Sequence, residues 1–134
     1  MKTYIIMAAA ILMLSACTVT KKQEKDALEQ VIKIHDEAMA KSEQAIKDKM
    51  VIDSIAKADN ITDKPEIKAI VSNLSAADKG MEDWMHQFNA DNTGKSHEQI
   101  MQYLADQQKQ VAEVNQQLKT AVSNSSQFIT TYKK

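Results

Sequence analysis

The sequence predicts an all-α protein, an antiparallel three-helix bundle with coiled-coil-like packing. Three observations carry this. Breakers are scarce: Gly80, Gly94 and Pro65 are the only glycines and proline, while good helix formers such as Ala, Gln, Lys and Glu abound. Apolar residues recur at spacings of three and four over three long stretches, which places them on one side of a helix. The segments between those stretches, "DNITDKP" and "NADNTGK", are short and rich in turn residues, and short connections make sequential helices antiparallel neighbours.

Helix one is expected from Gln23 to Ala58, with Leu28, Val31, Ile32, Ala38, Met39, Ala45, Ile46 and Met50 on its apolar stripe. "DNITDKP" ends it. Asp63 is positioned to cap the second helix, and Pro65 suits the first turn, where a missing N–H costs nothing. Helix two carries Ile67, Ile70, Val71, Leu74, Ala77, Met81, Trp84, Met85 and Phe88. Gly80 weakens its middle by roughly 1 kcal/mol relative to Ala. After "NADNTGK", the run "SHEQ" reads as a capping box with Ser96 as N-cap and Gln99 three residues on. Helix three presents Ile100, Leu104, Val111, Val114, Leu118, Val122, Ile129 and Tyr132, interrupted by Gln107 and Ser125. "SNSS" at 123–126 contains poor helix formers, so a kink or fray is expected there. Helix three is also expected to begin partway along helix one and run past its end. That would leave Val122, Phe128, Ile129 and Tyr132 uncovered as a contact surface for self-association or a protein partner.

The first sixteen residues read differently. Lys2 precedes an apolar run from Tyr4 to Leu14, eleven residues long, too short for a bilayer span of about 20 residues. Residues 1–16 therefore read as a signal peptide. The run Leu14, Ser15, Ala16, Cys17 resembles the lipobox of bacterial lipoproteins, in which the cysteine is lipidated and becomes the mature N-terminus. Cys17 is the only cysteine of the chain, and exported proteins usually pair theirs. Lipidation at Cys17 accounts for the unpaired residue and implies a membrane anchor, since two or more acyl chains hold a protein stably where one does not. Residues 17–22 are then a polar tether, and 23–134 the helical bundle domain.

The resemblance extends beyond the lipobox. "IHDEAMAK" in helix one, "MEDWMHQF" at the end of helix two and the lipobox ahead of both are similar to a group of small helical envelope lipoproteins often labelled "viral A-type inclusion protein". The label reflects coiled-coil similarity. The resemblance implies the helical fold and a place in the cell envelope, at the outer membrane of a Gram-negative bacterium; it implies no activity.

Charge and chemistry narrow the function classes. The mature chain has 16 Lys against 18 Asp plus Glu, a net charge of −2, and no Arg. Nucleic-acid binders present a basic face and rely on Arg for bidentate grip on phosphate, so nucleic acid is not an expected partner. Asp36–Glu37 and Glu82–Asp83 are sequence neighbours, whose side chains diverge by about 100° around a helix and cannot converge as an acid–base pair. There is no phosphate-cradling glycine loop, no CxxCH haem motif and no Ser with a plausible base, so neither an enzyme nor a cofactor is expected.

"MEDWMHQF" concentrates the remaining interest. Met81, Trp84, Met85 and Phe88 fall within one arc and read as core, while His86 points to water; His97, in the first turn of helix three, is expected to be exposed. His35 falls in the centre of its stripe, level with the end of helix two. A histidine joined by Met39, Met81 and Met85 is a donor set suited to Cu(I); a neutral core histidine with a hydrogen-bond acceptor is the simpler reading.

Overall fold

The structure is a computed structural model that describes residues 2–132, with side chains from Thr18 onward. Among them are three helices, α1 (Lys2–Ala58), α2 (Pro65–Gln87) and α3 (His97–Tyr132), packed against one another as a three-helix bundle. The expected signal peptide, residues 1–16, and Cys17 lie outside the residues whose side chains are described. No helix among the described residues is long and apolar enough to cross a membrane.

The expected tether is helical instead: Thr18 to Lys22 continue α1 without a break. The reason is local. No glycine or proline interrupts 18–26, and Lys22 pairs with Asp26 at 3.1 Å, one turn on, an arrangement that supports a helix.

The core follows a seven-residue repeat. Val31, Ala38, Ala45 and Ile52 are buried on α1; Ile67, Leu74 and Met81 on α2; Leu104, Val111, Leu118 and Ser125 on α3. A second row three or four residues on adds Ala77 and Trp84, and Ile100, Gln107, Ala121 and Phe128. This spacing is the coiled-coil seam, in which a 3.5-residue period keeps the same face turned to the partner helices. It corrects the stripe expected for α1. Ile32, Ile46 and Met50 follow or flank the buried positions and stay 45, 48 and 66 % exposed, because one residue beyond a buried position turns about 100° away.

The ends of the helices are set by local chemistry. α1 stops at Ala58, with Asn60 at φ 54; Ile61 N–H donates to Ala56 O at 2.9 Å and Asn60 N–H to Lys57 O at 3.4 Å, the paired bonds of a Schellman closure with Asn in place of Gly. Pro65 opens α2 as expected, but Lys64 is the N-cap and makes no side-chain cap bond. Asp63 pairs with Lys68 at 3.0 Å rather than capping. The capping box of α3 is complete: Ser96 N–H donates to Gln99 Oε1 at 2.9 Å and Gln99 N–H to Ser96 Oγ at 3.3 Å. Gly94, at φ 77, supplies the left-handed turn before it.

Two expectations about α3 are overturned. The helix runs unbroken through 123–126, because Ser125 is fully buried and its single hydroxyl proton goes to Asp48 Oδ2 at 2.5 Å, with Val122 O at 2.9 Å as the alternative acceptor, so its competition with the backbone is resolved inside the core. Nor does α3 overhang. His97 meets Glu24, Asn115 meets Lys41 and Ser125 meets Asp48, a parallel register in which Tyr132 ends level with the last turn of α1. α2 ends near His35, and residues 88–96 then travel back to the level of Glu24, about 16 Å along the axis at 1.5 Å per residue. Phe128 is consequently buried, 6 % exposed, and Ile129 and Val122 pack on the core; of the four residues, Tyr132 keeps the largest exposure, 38 %.

Candidate functional site

α2 antiparallel to α1 brings "MEDWMHQF" against His35. Trp84, in the inward row of α2, is 6 % exposed and stacks on Phe88 with ring centroids 5.0 Å apart. The His35 ring lies 5.8 Å from Trp84 and the Tyr103 ring 6.2 Å from Phe88, so four rings form a ladder from α1 across α2 to α3. Tyr103 accepts the Asn89 N–H at 2.8 Å and lies under Lys95 Nζ, 4.9 Å from its ring centroid, which fastens the returning loop to the ladder.

A cleft of about 260 Å³ opens beside this ladder, lined by Val31, Ile32, His35, Trp84, Met85 and Phe88. Small-molecule sites usually measure about 300–1,000 Å³, so the cleft suits an apolar group of side-chain size. His35 Nδ1–H donates to Asp36 Oδ1 at 2.9 Å. That tautomer leaves the lone pair on Nε2. Trp84 Nε1 is buried with no hydrogen-bond partner among the described residues, as is Gln107 Oε1; a buried donor left unpaired costs about 1–3 kcal/mol.

The structure divides the expected His and Met set. His35 and Met85 both line the cleft, and Met85, expected in the core with Trp84, is instead 38 % exposed because it stands one residue, about 100°, beyond the inward Trp84. Met81 is fully buried in the core, and Met39 is half-buried against it; neither lines the cleft. His35 itself stands at the edge of the core, its side chain 30 % exposed, rather than at the centre of the stripe. His86 is exposed as expected. His97 is half-buried, held at 2.7 Å by Glu24, because the loop returns it to the start of the bundle.

Sequence reasoning missed a buried polar layer higher in the bundle. Asp48 is 5 % exposed; its carboxylate accepts from Gln44 Nε2 at 2.6 Å, Ser125 Oγ at 2.5 Å and Ser126 Oγ at 3.4 Å. Nearby, the buried Ser42 hydroxyl donates to Asp78 of α2. The signal was present: Asp48 stands three residues after Ala45 and Ser125 seven after Leu118, both inward by the seven-residue count. Neutral donors surround Asp48, so the layer fixes register between α1 and α3 rather than arranging a reactive pair.

Two exposed groups are shifted from their ordinary values. Lys79 is held above the ordinary lysine value, first by its hydrogen bond to Asp83 and then by that residue's charge. Asp91 is held below the ordinary carboxylate value, first by the Thr93 hydroxyl and then by the Thr93 N–H, which both donate to it. No group of three or more His, Cys, Asp or Glu side chains placed to hold a metal ion occurs among the described residues. No family model, curated protein or solved structure matches the chain.

Proposed function

We propose that this chain is a lipid-anchored helical module of the bacterial envelope, at the outer membrane of a Gram-negative cell, that works by binding or by shaping the envelope rather than by catalysis. The observation that carries the reading is Leu14-Ser15-Ala16-Cys17, placed directly after an eleven-residue apolar run in a chain with no second cysteine. The architecture suits an anchor at that point. Because α1 stays helical from Thr18 into the bundle, a chain held at Cys17 carries its domain on a stiff helix rather than a loose leash, and Lys21, Lys22 and Lys25, within eight residues of Cys17, favour anionic headgroups. The test is radiolabelled palmitate supplied to cells: label enters the wild type and is lost in Cys17→Ser. Equal labelling of both removes the assignment.

A second reading, soft-metal binding, rests on His35 and Met85 sharing one cleft. It expects Cu(I), titrated under reducing conditions, to bind the wild type and not His35→Ala or Met85→Leu. Binding that survives both substitutions ends that reading.

A further inference from the structure

Helix α1 carries more apolar surface than its own bundle covers. Ile32, Ile46 and Met50 are exposed, and with the half-buried Leu28 and Met39 they make a strip beside the core seam. The strip is symmetric in spacing about Met39. Ile32 and Ile46 stand seven residues to either side of it, and Leu28 and Met50 eleven. The charges at its ends share that centre and have opposite sign: Lys25 and Asp53 lie fourteen residues away, Glu29 and Lys49 ten. Within the chain these four form two ion pairs, Lys25–Glu29 at 3.6 Å and Lys49–Asp53 at 3.0 Å.

We propose that this strip docks a second copy of the chain, the two α1 helices antiparallel about a two-fold axis beside Met39. In that register Ile32 of each copy lies level with Ile46 of the other, and Leu28 with Met50. The Lys25–Glu29 pair of one copy meets the Asp53–Lys49 pair of the other, so four charges alternate in sign at each end of the contact. A parallel pairing would set each of these charges against itself, and like charges placed face to face are costly. A two-fold contact needs a surface complementary to itself; the apolar spacing and the four charges between residues 25 and 53 satisfy that condition, while beyond them Lys21 and Lys57, eighteen residues to either side of Met39, come level as like charges at the open ends. Contact with a lipid surface or an unrelated protein requires no such pattern. Met39 on the axis suits a close helix approach because its thioether adapts to the gap.

The pairing rests on exposed side chains of α1 and does not depend on the anchor. Where Cys17 is lipidated, the two anchors lie 22 residues to either side of Met39, about 66 Å apart at 1.5 Å per residue.

The test is mild oxidation of full chains in detergent micelles, with the wild type as the control for Cys17. Met39→Cys is expected to form covalent dimers. Ile32→Cys and Ile46→Cys are expected to form none alone and to cross-link when mixed. Glu29→Lys should reduce the Met39→Cys product several-fold at low salt, and adding Lys49→Glu should restore it; all are surface or half-buried positions, and unchanged helical circular dichroism checks the fold. Failure of Met39→Cys to cross-link in a folded chain overturns the proposal. Self-linkage of Ile32→Cys as efficient as that of Met39→Cys overturns it too, in favour of parallel or unspecific contact. Loss of vesicle binding in Ile46→Glu without any cross-linking at Met39→Cys assigns the strip to a lipid surface, and so also overturns it.

Discussion

Ser125→Ala is the sharpest probe of how α1 and α3 are held in register. The serine hydroxyl, fully buried, donates to Asp48 at 2.5 Å; the other donors to that carboxylate are Gln44 at 2.6 Å and Ser126 at the weak distance of 3.4 Å. A hydrogen bond to a charged acceptor contributes about 1.5–3 kcal/mol, and its removal leaves Asp48 underpaired where water cannot compensate. Ser125→Ala should therefore lower stability by about 1.5–3 kcal/mol. In Asp48→Ala the Ser125 hydroxyl still has Val122 O as acceptor at 2.9 Å, so adding Ser125→Ala to Asp48→Ala should cost far less than Ser125→Ala does alone. The assay is denaturant unfolding followed by the fluorescence of Trp84, the only tryptophan, on the wild type, both single variants and the double. Independent sites add to within about 0.3–0.5 kcal/mol. Additivity at that level would show that the two residues do not couple, and the polar-layer argument would fail.

Other outcomes follow from the same packing. Trp84→Ala should destabilise by about 3–5 kcal/mol as a large-to-small change in the core, whereas His86→Ala, exposed on the opposite face, should stay within about 0.5 kcal/mol; melts in the reverse order would reject the phase of α2. Gly80 sits mid-helix, and a Cβ there meets only Gln117 Oε1 at an ordinary 3.6 Å, so Gly80→Ala should raise stability by roughly 1 kcal/mol, and a lower melting point would show a packing role for the glycine. Because Thr93 holds Asp91 below the ordinary carboxylate value of 3.8, the support this carboxylate gives to the returning loop is present above that value and is lost as pH falls through the lower folded one. The Thr93 amide resonance should report that titration in the wild type and not in Asp91→Asn; a midpoint above 3.8 in the wild type would contradict the hydrogen bonds.

What was legible in the sequence was what depends on near neighbours. Pro65 at a helix start and the Ser96–Gln99 box are local chemistry, and both stand as read. Helix existence and the inward phase of α2 and α3 followed from apolar spacing. The phase of α1 was blurred because Ile32, Met39 and Ile46 each stand one residue after a core position, and at a period near 3.6 the two rows merge into one broad stripe; only a strict count of seven separates them. The run of α3 was misjudged because length alone does not distinguish a tight turn from a strap, and residues 88–96 travel along the bundle. Ser125 reads as an interruption, and Asp48 goes unread, when polarity is weighed before position. His35 was placed near the end of α2 correctly, yet which methionines share its cleft depended on side-chain directions that spacing does not resolve.

Lipidation at Cys17 is read out by the intact mass of the protein extracted from the envelope, with sequencing of its first peptide. The expected chain begins at Cys17 and carries the added mass of covalently bound acyl chains on that residue. A chain that retains residues 1–16, or one with an unmodified Cys17 thiol, would contradict it.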